Sequence, residues 1–396
     1  MELDTRPFSY DYRPGQIRYG RGCVEHLGED LDGFDLDRAM VVTGTNVGAN
    51  EAVMDPVTAG LGDRLVEVFD ETTPACRMET AYEALEVVDE RDVDVLVGVG
   101  AGSSLDIATM TSVLHARYRE IEDIQREVDE TGAIVVEEEG DFLPLVFVPT
   151  TLAGADLSAG AGIKVPGRTG EKTLLSRALM ATAGYYDPAL YETTPKGVLI
   201  GSAMNGFDKG IEALYSKNGE PITDATGMSG LRYLRESLPG LTDEPTDPED
   251  MDQIVLGHIL VQFGVTVPGA TKLAPIHAFG HALRHQYGVQ QGVAHGLVAP
   301  QALRWILEST GEGLNDLAEA FDVTDADDRI DAVVDAVAAV RDGLELPSRI
   351  RDVEGATRES LHETAVVAYE DEYMWNGPEA LDPTVEEIEA VLEAAW

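Results

Sequence analysis

Val93–Asp106 reads VDVLVGVGAGSSLD, an apolar run that enters a glycine-rich turn and opens into a helix start. Such a turn lets backbone N–H groups and a helix N-terminus meet a pyrophosphate without side-chain obstruction. Plain strand–turn–helix junctions use the same residues, so the weight of this one comes from its surroundings. Further strand-like runs at Ala39–Thr43, Leu65–Phe69 and Leu143–Val148 alternate with helical stretches such as Met78–Asp89, which predicts a mostly parallel α/β sheet. After Asp187-Pro188 the pattern turns helical, rich in Ala, Leu and Glu, and places a domain boundary near residues 185 to 190. The acidic stretch Thr242–Asp252 (TDEPTDPEDMD) reads as a solvated loop leading into the next helix.

Composition narrows the partners. Seventy-three acidic against twenty-eight basic residues give a formal charge of −45 over 396 residues, which repels nucleic acid and anionic membranes. The acid is spread through amphipathic segments, and only six lysines occur (Lys164, Lys172, Lys196, Lys209, Lys217, Lys272), a composition suited to high salt, where screening suppresses self-repulsion. Cys23 and Cys76 imply no disulfide framework. The start, MELDTRPFSYDYRPG, lacks the basic and apolar regions of a signal peptide, so a cytoplasmic location is expected.

A second loop, Val148–Ser158 (VPTTLAGADLS), follows an apolar run and offers paired hydroxyls among small residues, suited to a ribose or a nicotinamide amide and equally to a Thr-rich turn. Together the two loops carry a resemblance. GAGSSLDIA is similar to the GGGSxxDxAK loop of the iron-containing (group III) alcohol dehydrogenase family, and PTTLAGADLS looks like its PTT loop, nearest the maleylacetate reductase branch. GQIRYGRGCVEHL at the opening and YYDPAL at the junction extend the likeness over the chain. The resemblance implies a Rossmann-like α/β domain (1–187) followed by an all-α domain (188–396), the dehydroquinate synthase-like architecture, with a nicotinamide cofactor in the cleft between them. By match to the motifs, Gly100, Ala101, Gly102, Ser103 and Asp106 would hold the pyrophosphate side. Thr150, Thr151 and Lys172 would lie near ribose and nicotinamide. After AMVVT, where many members place an Asp, this chain has Gly44-Thr45-Asn46; losing that carboxylate removes the main barrier to a 2′-phosphate and favours NADP(H) over NAD(H).

The family's metal-dependent members place an Asp and a His four apart on one helix and two further His fourteen apart. Here AMNGFDKGIEALYS aligns on its IEA core, putting Asn205 and Lys209 at the first pair, while QQGVAHGLVAP puts Gln291 and His277 at the second. An amide is a weak ligand and an ammonium repels a cation, so no catalytic metal is expected. His281 falls on the second His of the family's HxxxH. A rival register uses His281 and His295 with His285, and a site outside the family pattern could join His277, His281 and His285 to His295 or Asp208. The plainer expectation makes His285 and His295 polar residues of a helix contact and Asp208 part of a solvated helical face.

These readings predict an NAD(P)-dependent oxidoreductase acting on a small alcohol or carbonyl compound, an oxo acid included. Lys209 and Asn205 would polarise the substrate oxygen and His281 relay the proton. Alternatives are a maleylacetate-reductase-like reaction, a metal-dependent alcohol or glycerol dehydrogenase, and a nucleotide-binding homologue without catalysis. A homodimer is the expected assembly.

Overall fold

Six strands form one parallel sheet in the computed structural model, which describes residues 15–267 and 270–396. The signal-peptide reading of the first fourteen residues lies outside these. The strands are β1 (Gln16–Tyr19), β2 (Ala39–Gly44), β3 (Leu65–Thr72), β4 (Val95–Gly100), β5 (Leu145–Pro149) and, beyond an antiparallel ribbon of β6 (Gly160–Ile163) and β7 (Lys172–Leu175), β8 (Ala183–Tyr186). Their order is β1-β8-β5-β4-β2-β3. Alternate residues feed opposite faces. Met40, Val42, Leu96 and Phe147 pack toward the helix Met78–Arg91 and the helix Gly102–Ala116, while Val41, Val97, Val99 and Val148 pack toward the helix Glu51–Leu61. With both faces covered, the inner strands β2, β4 and β5 read as largely apolar runs instead of alternating ones.

The predicted edges move for local reasons. Val93 donates back to Val88 after Asp92 enters the left-handed region (φ 50°), so it closes the preceding helix, and β4 begins at Val95. The Leu143 carbonyl is taken by Ser112 Oγ at 2.8 Å, and β5 begins at Leu145. The β6–β7 ribbon went unread because each strand is only four residues long and two of the four in β6 are glycine.

Contacts divide the chain into two units, the first ending at Thr194 and the second running from Pro195 to Trp396. The second is helical apart from a two-stranded ribbon, Thr266–Val267 with Ala270–Thr271. Its main helices are Lys196–Tyr215, Pro221–Ser237, Pro248–Val265, Pro275–Tyr287 and Gln291–Thr310. Three begin with proline at the first turn, where no intrahelical donor is lost. The acidic loop is shorter than expected. Asp247 caps the next helix by accepting from Glu249 N at 2.9 Å, so Pro248–Asp252 is already helical and Met251 is buried. Among the described residues no helix is long and apolar enough to cross a membrane.

The Lys196–Tyr215 and Gln291–Thr310 helices meet backbone to backbone. A Cβ on Gly292 would overlap the carbonyl oxygen of Gly201 and lie 3.0 Å from the Asn205 nitrogen. Gly292→Ala is therefore expected to cost about 3 kcal/mol, the upper range for an overpacked core. Denaturant unfolding at fixed salt measures it, and a midpoint equal to the parent's would show that the crossing relaxes freely.

Candidate functional site

Two places gather functional residues, one in each unit. In the parallel sheet the strand order reverses between β2 and β4, and open α/β sheets bind ligands outside the carboxyl ends of such neighbours. Gly44 ends β2 and Gly100 ends β4, and Thr43 Oγ1 ties the two by donating to the Val99 carbonyl at 2.8 Å. Gly100 has φ 124°, a conformation only glycine adopts without strain, and Ala101 stands at the N-cap position of the helix that starts at Gly102, without a side-chain cap. Thr45 and Asn46 open the short helix Thr45–Gly48, where Thr45 Oγ1 donates to the Asp70 carbonyl at 2.9 Å.

Thr150 and Thr151 follow β5 directly. The Thr150 N–H donates to the Gly100 carbonyl at 3.0 Å, and its own carbonyl accepts from Thr194 Oγ1 at 2.7 Å. Beneath this loop the buried Tyr186 hydroxyl donates to Asp156 at 2.6 Å. The expected residues 44–46, 100–103 and 150–151 thus lie at the ends of three adjacent strands. Asp106 is in the second turn of the Gly102–Ala116 helix, and Lys172 opens β7 opposite Ile163 in the antiparallel ribbon.

The second place is a buried polar cluster in the helical unit. Asn205, Asp208, Lys209 and Glu212 lie on one face of the Lys196–Tyr215 helix at spacings of three and four. Asp208 and Glu212 are fully buried and Lys209 is 9% exposed. Glu212 grips His277 twice, accepting from its backbone N–H at 2.9 Å and meeting Nδ1 at 2.5 Å. The His277 and His295 rings are 4.4 Å apart. His295 meets Gln291 Nε2 through its own Nε2 at 2.8 Å and sets Nδ1 3.1 Å from Asp208 Oδ2. Lys209 Nζ donates to Gln262 Oε1 at 3.4 Å. A Cβ on Gly280 would clash with His295 and Gln291, so glycine there admits both.

Burial sets the charges. It pushes Glu212 up to about 7 against the hydrogen bond from His277, and raises Asp208 well above the carboxylate range with Glu212 adding to the effect. It drives His295 down to about 3 and His277 well below the imidazole range, the latter also through the nearby His295 and Lys209. A neutral His295 that accepts from the Gln291 amide carries its proton on Nδ1, toward Asp208.

Two expectations are corrected. Asp208 is not on a solvated face: it is sealed against His295, because the Gln291–Thr310 helix covers that side. His295 is a fully buried member of the cluster and no ordinary contact residue, whereas His285 is exposed, so the rival register loses its third histidine. Among the described residues no three His, Cys, Asp or Glu side chains are arranged to hold a metal.

His281 stands at the edge, with Nδ1 2.8 Å from Asp371 Oδ2 and its ring 5.4 Å from that of Tyr373. Burial would raise the Asp371 carboxyl, but the hydrogen bond and charge of His281 outweigh it and hold it below its ordinary range. Sequence reasoning missed Asp371, Tyr373 and Gln262, none of which carries a motif. Glu212 was in view within the IEA core but without a role.

A sheet with glycine-lined strand ends at its order reversal, in one chain with a helical unit that buries a polar cluster, defines a dinucleotide-binding type of α/β protein with a helical second domain. Residues 14–188 match the model of the iron-containing alcohol dehydrogenases and residues 199–396 that of the C-terminal part of the Fe-containing alcohol dehydrogenase family. The chain belongs to the iron-containing alcohol dehydrogenase family. It is 26% identical over 319 residues to a maleylacetate reductase of Sphingobium indicum (79% of either chain). It is 24% identical over 390 residues to an NAD-dependent methanol dehydrogenase of Bacillus methanolicus (95% of this chain, 97% of the other). The crystal structure of a sulfoacetaldehyde reductase from Bifidobacterium kashiwanohense in complex with NAD+ superposes with a TM-score of 0.86 at 18% identity, covering 98% of this chain and 99% of that one.

The raised Glu212 value yields a test. A carboxyl whose folded value lies near 7, above the ordinary 4.5, contributes its full stability below the ordinary value and loses it as pH rises through about 7. The stability lead of the parent over Glu212→Gln should therefore grow as pH falls from about 8 to about 5. Denaturant midpoints at both pH values measure this, and a constant lead would contradict a neutral buried Glu212.

Proposed function

We propose that this chain is an NAD(P)-dependent oxidoreductase moving a hydride between a nicotinamide cofactor and a small alcohol or carbonyl compound, an oxo acid being the favoured substrate class. The observation that carries this is the surroundings of Lys209. Gln262 Nε2 and Gln291 Oε1 are buried without hydrogen-bond partners among the described residues, in the cluster to which this buried lysine belongs. Each such group costs about 1–3 kcal/mol, which an oxygen-bearing ligand would offset. The cationic side chain also suits a carboxylated one.

In the proposed chemistry the parallel-sheet domain (1–187) holds the dinucleotide and the helical domain (188–396) handles the substrate oxygen. The glycines at 44 and 100 fit the cofactor, since a side chain at either would narrow the space beside Thr72, Ser104 or Val47. Asn46, Thr45, Ala101, Gly102, Ser103 and Asp106 complete the pyrophosphate side, with Thr150, Thr151 and Lys172 toward ribose and nicotinamide. When bound, the nicotinamide supplies or accepts the hydride. Lys209 and Asn205, one helical turn apart, stabilise the oxygen as negative charge develops, and His281 gives or takes its proton.

The donor set at the family's ligand positions does not fit a divalent cation. Asn205 and Gln291 are neutral amides, Lys209 is a cation, and His277 has its Nδ1 committed to Glu212. No step is routed through a metal. Gly44-Thr45-Asn46 places no carboxylate after β2, which supports NADP(H) ahead of NAD(H), although two relatives carry NAD in their names. A second reading, reduction of a double bond conjugated to an oxo acid, is favoured by Asn205 and by the maleylacetate reductase among the relatives.

Lys209→Met should lower turnover at least a hundredfold, the loss typical of a donor to a developing oxyanion, with NADPH affinity within about twofold of the parent. Full activity in that variant sinks the assignment. Chelator treatment of the purified protein should leave turnover unchanged; a loss of turnover that an added divalent cation restores would return the metal to the mechanism. A turnover screen in multimolar salt over aldehydes, oxo acids and conjugated enoates, with each cofactor, separates the two readings.

A further inference from the structure

We propose that Asp371 is a positioning residue for the proton transfer at His281, fixing the imidazole in one tautomer and one orientation. The inference rests on the reading of His281 given above and extends it to a residue ninety positions away.

The geometry is that of a clamped carboxylate. Asp371 caps the turn Glu372–Asn376, its Oδ1 accepting from the Tyr373 N–H at 2.9 Å. Its Oδ2 is 2.8 Å from His281 Nδ1. With one oxygen held by backbone, the other cannot swing away, and the side chain is only 18% exposed. An ionised carboxylate accepts and never donates, so Nδ1 of His281 must carry the hydrogen. That leaves Nε2 with the lone pair, or with the transferable proton in the imidazolium. The Tyr373 ring, 5.4 Å from the imidazole, and the His277 ring, at 6.3 Å, wall it on two further sides. His281 is the least buried imidazole of the three around this cluster, its side chain 38% exposed, so it alone has solvent with which to exchange a proton.

The contrast with His277 sharpens the assignment. Both imidazoles have a carboxylate at Nδ1, but Glu212 is buried and pushed up to about 7 while Asp371 stays below the ordinary carboxylate range. Only the Asp371 pair keeps a full negative charge beside an imidazole that must alternate between neutral and cationic. Catalytic carboxylate–imidazole pairs work in this way: the acid stays ionised, orients the ring and stabilises the imidazolium.

Asp371→Asn tests the proposal, since an amide of the same shape can present N–H to Nδ1 and favour the opposite tautomer. The expected result is a kcat reduced about a hundredfold or more, with substrate KM and NADPH affinity within about twofold, and partial recovery in Asp371→Glu. Nitrogen-15 spectra of histidine-labelled protein, with the His281 signals assigned through His281→Ala, should show Nδ1 protonated and Nε2 bare in neutral parent and a mixture or reversal in Asp371→Asn. A merely structural role would move neither the tautomer nor kcat alone. If His281→Ala is impaired while Asp371→Asn turns over normally with an unchanged tautomer, the positioning role is overturned and the reading of His281 stands. If His281→Ala itself keeps full activity, both fall.

Discussion

The helical unit depends on a crossing where two helix backbones touch. Gly201 and Gly292 bring two helices into backbone contact, and Gly280 removes the third obstacle, the one that would exclude His295 and Gln291. Glycine inside a helix costs about 1 kcal/mol relative to alanine, so three such positions around one cluster are a local sacrifice of helix propensity. What they gain is proximity. Asn205, Asp208, Lys209 and Glu212 come within reach of His277, Gln291 and His295 only because the helices carrying them are closer than ordinary side-chain packing allows.

That closeness creates an electrostatic problem with a particular solution. Two carboxyls and two imidazoles without water could pair as ions, but the desolvation of each ion would offset most of the attraction. The shifts run the other way: both acids are raised, both imidazoles lowered, so the cluster tends to neutrality, held by hydrogen bonds from Gln291 and between Glu212 and His277. At the rim His281 meets Asp371, whose carboxyl it holds below the ordinary range against burial. The carboxyls of interior and rim thus shift in opposite directions: burial governs Asp208 and Glu212, while the His281 hydrogen bond outweighs it at Asp371.

The sequence showed the sheet well and the cluster only in part. β2, β4 and β5 were legible because buried parallel strands are continuous apolar runs, β3 because β-branched and aromatic residues dominate its first half, and the glycine turn because it follows one of them. β6 and β7 were not, since four residues are too few to show a period and two of those in β6 are glycine. In the cluster, a motif spacing pointed to Asn205, Lys209, His277 and Gln291 along their own helices. Asp208 was misread because a helix wheel cannot tell which faces a distant helix will cover, and this helix is buried nearly all round. Asp371 was invisible: its role comes from a turn that meets His281 across ninety residues, and one acidic residue among seventy-three carries no signal by itself.

The same acidic bias makes the lysines informative. A chain with a charge of −45 and six lysines has moved its surface away from that residue, yet Lys272 is fully buried and Lys209 nearly so. Pressure toward an acidic surface acts on exposed positions, where the charge meets solvent and salt. Buried positions answer to their neighbours instead. Lys272 has an evident structural account, with Asp224 and Thr223 each at 2.6 Å from its ammonium. Lys209 donates to Gln262 Oε1 at 3.4 Å, beside Gln262 Nε2 and Gln291 Oε1, which have no hydrogen-bond partner among the described residues. Amide atoms left open beside a buried lysine, in a chain so sparing of that residue, favour a ligand that enters the cluster.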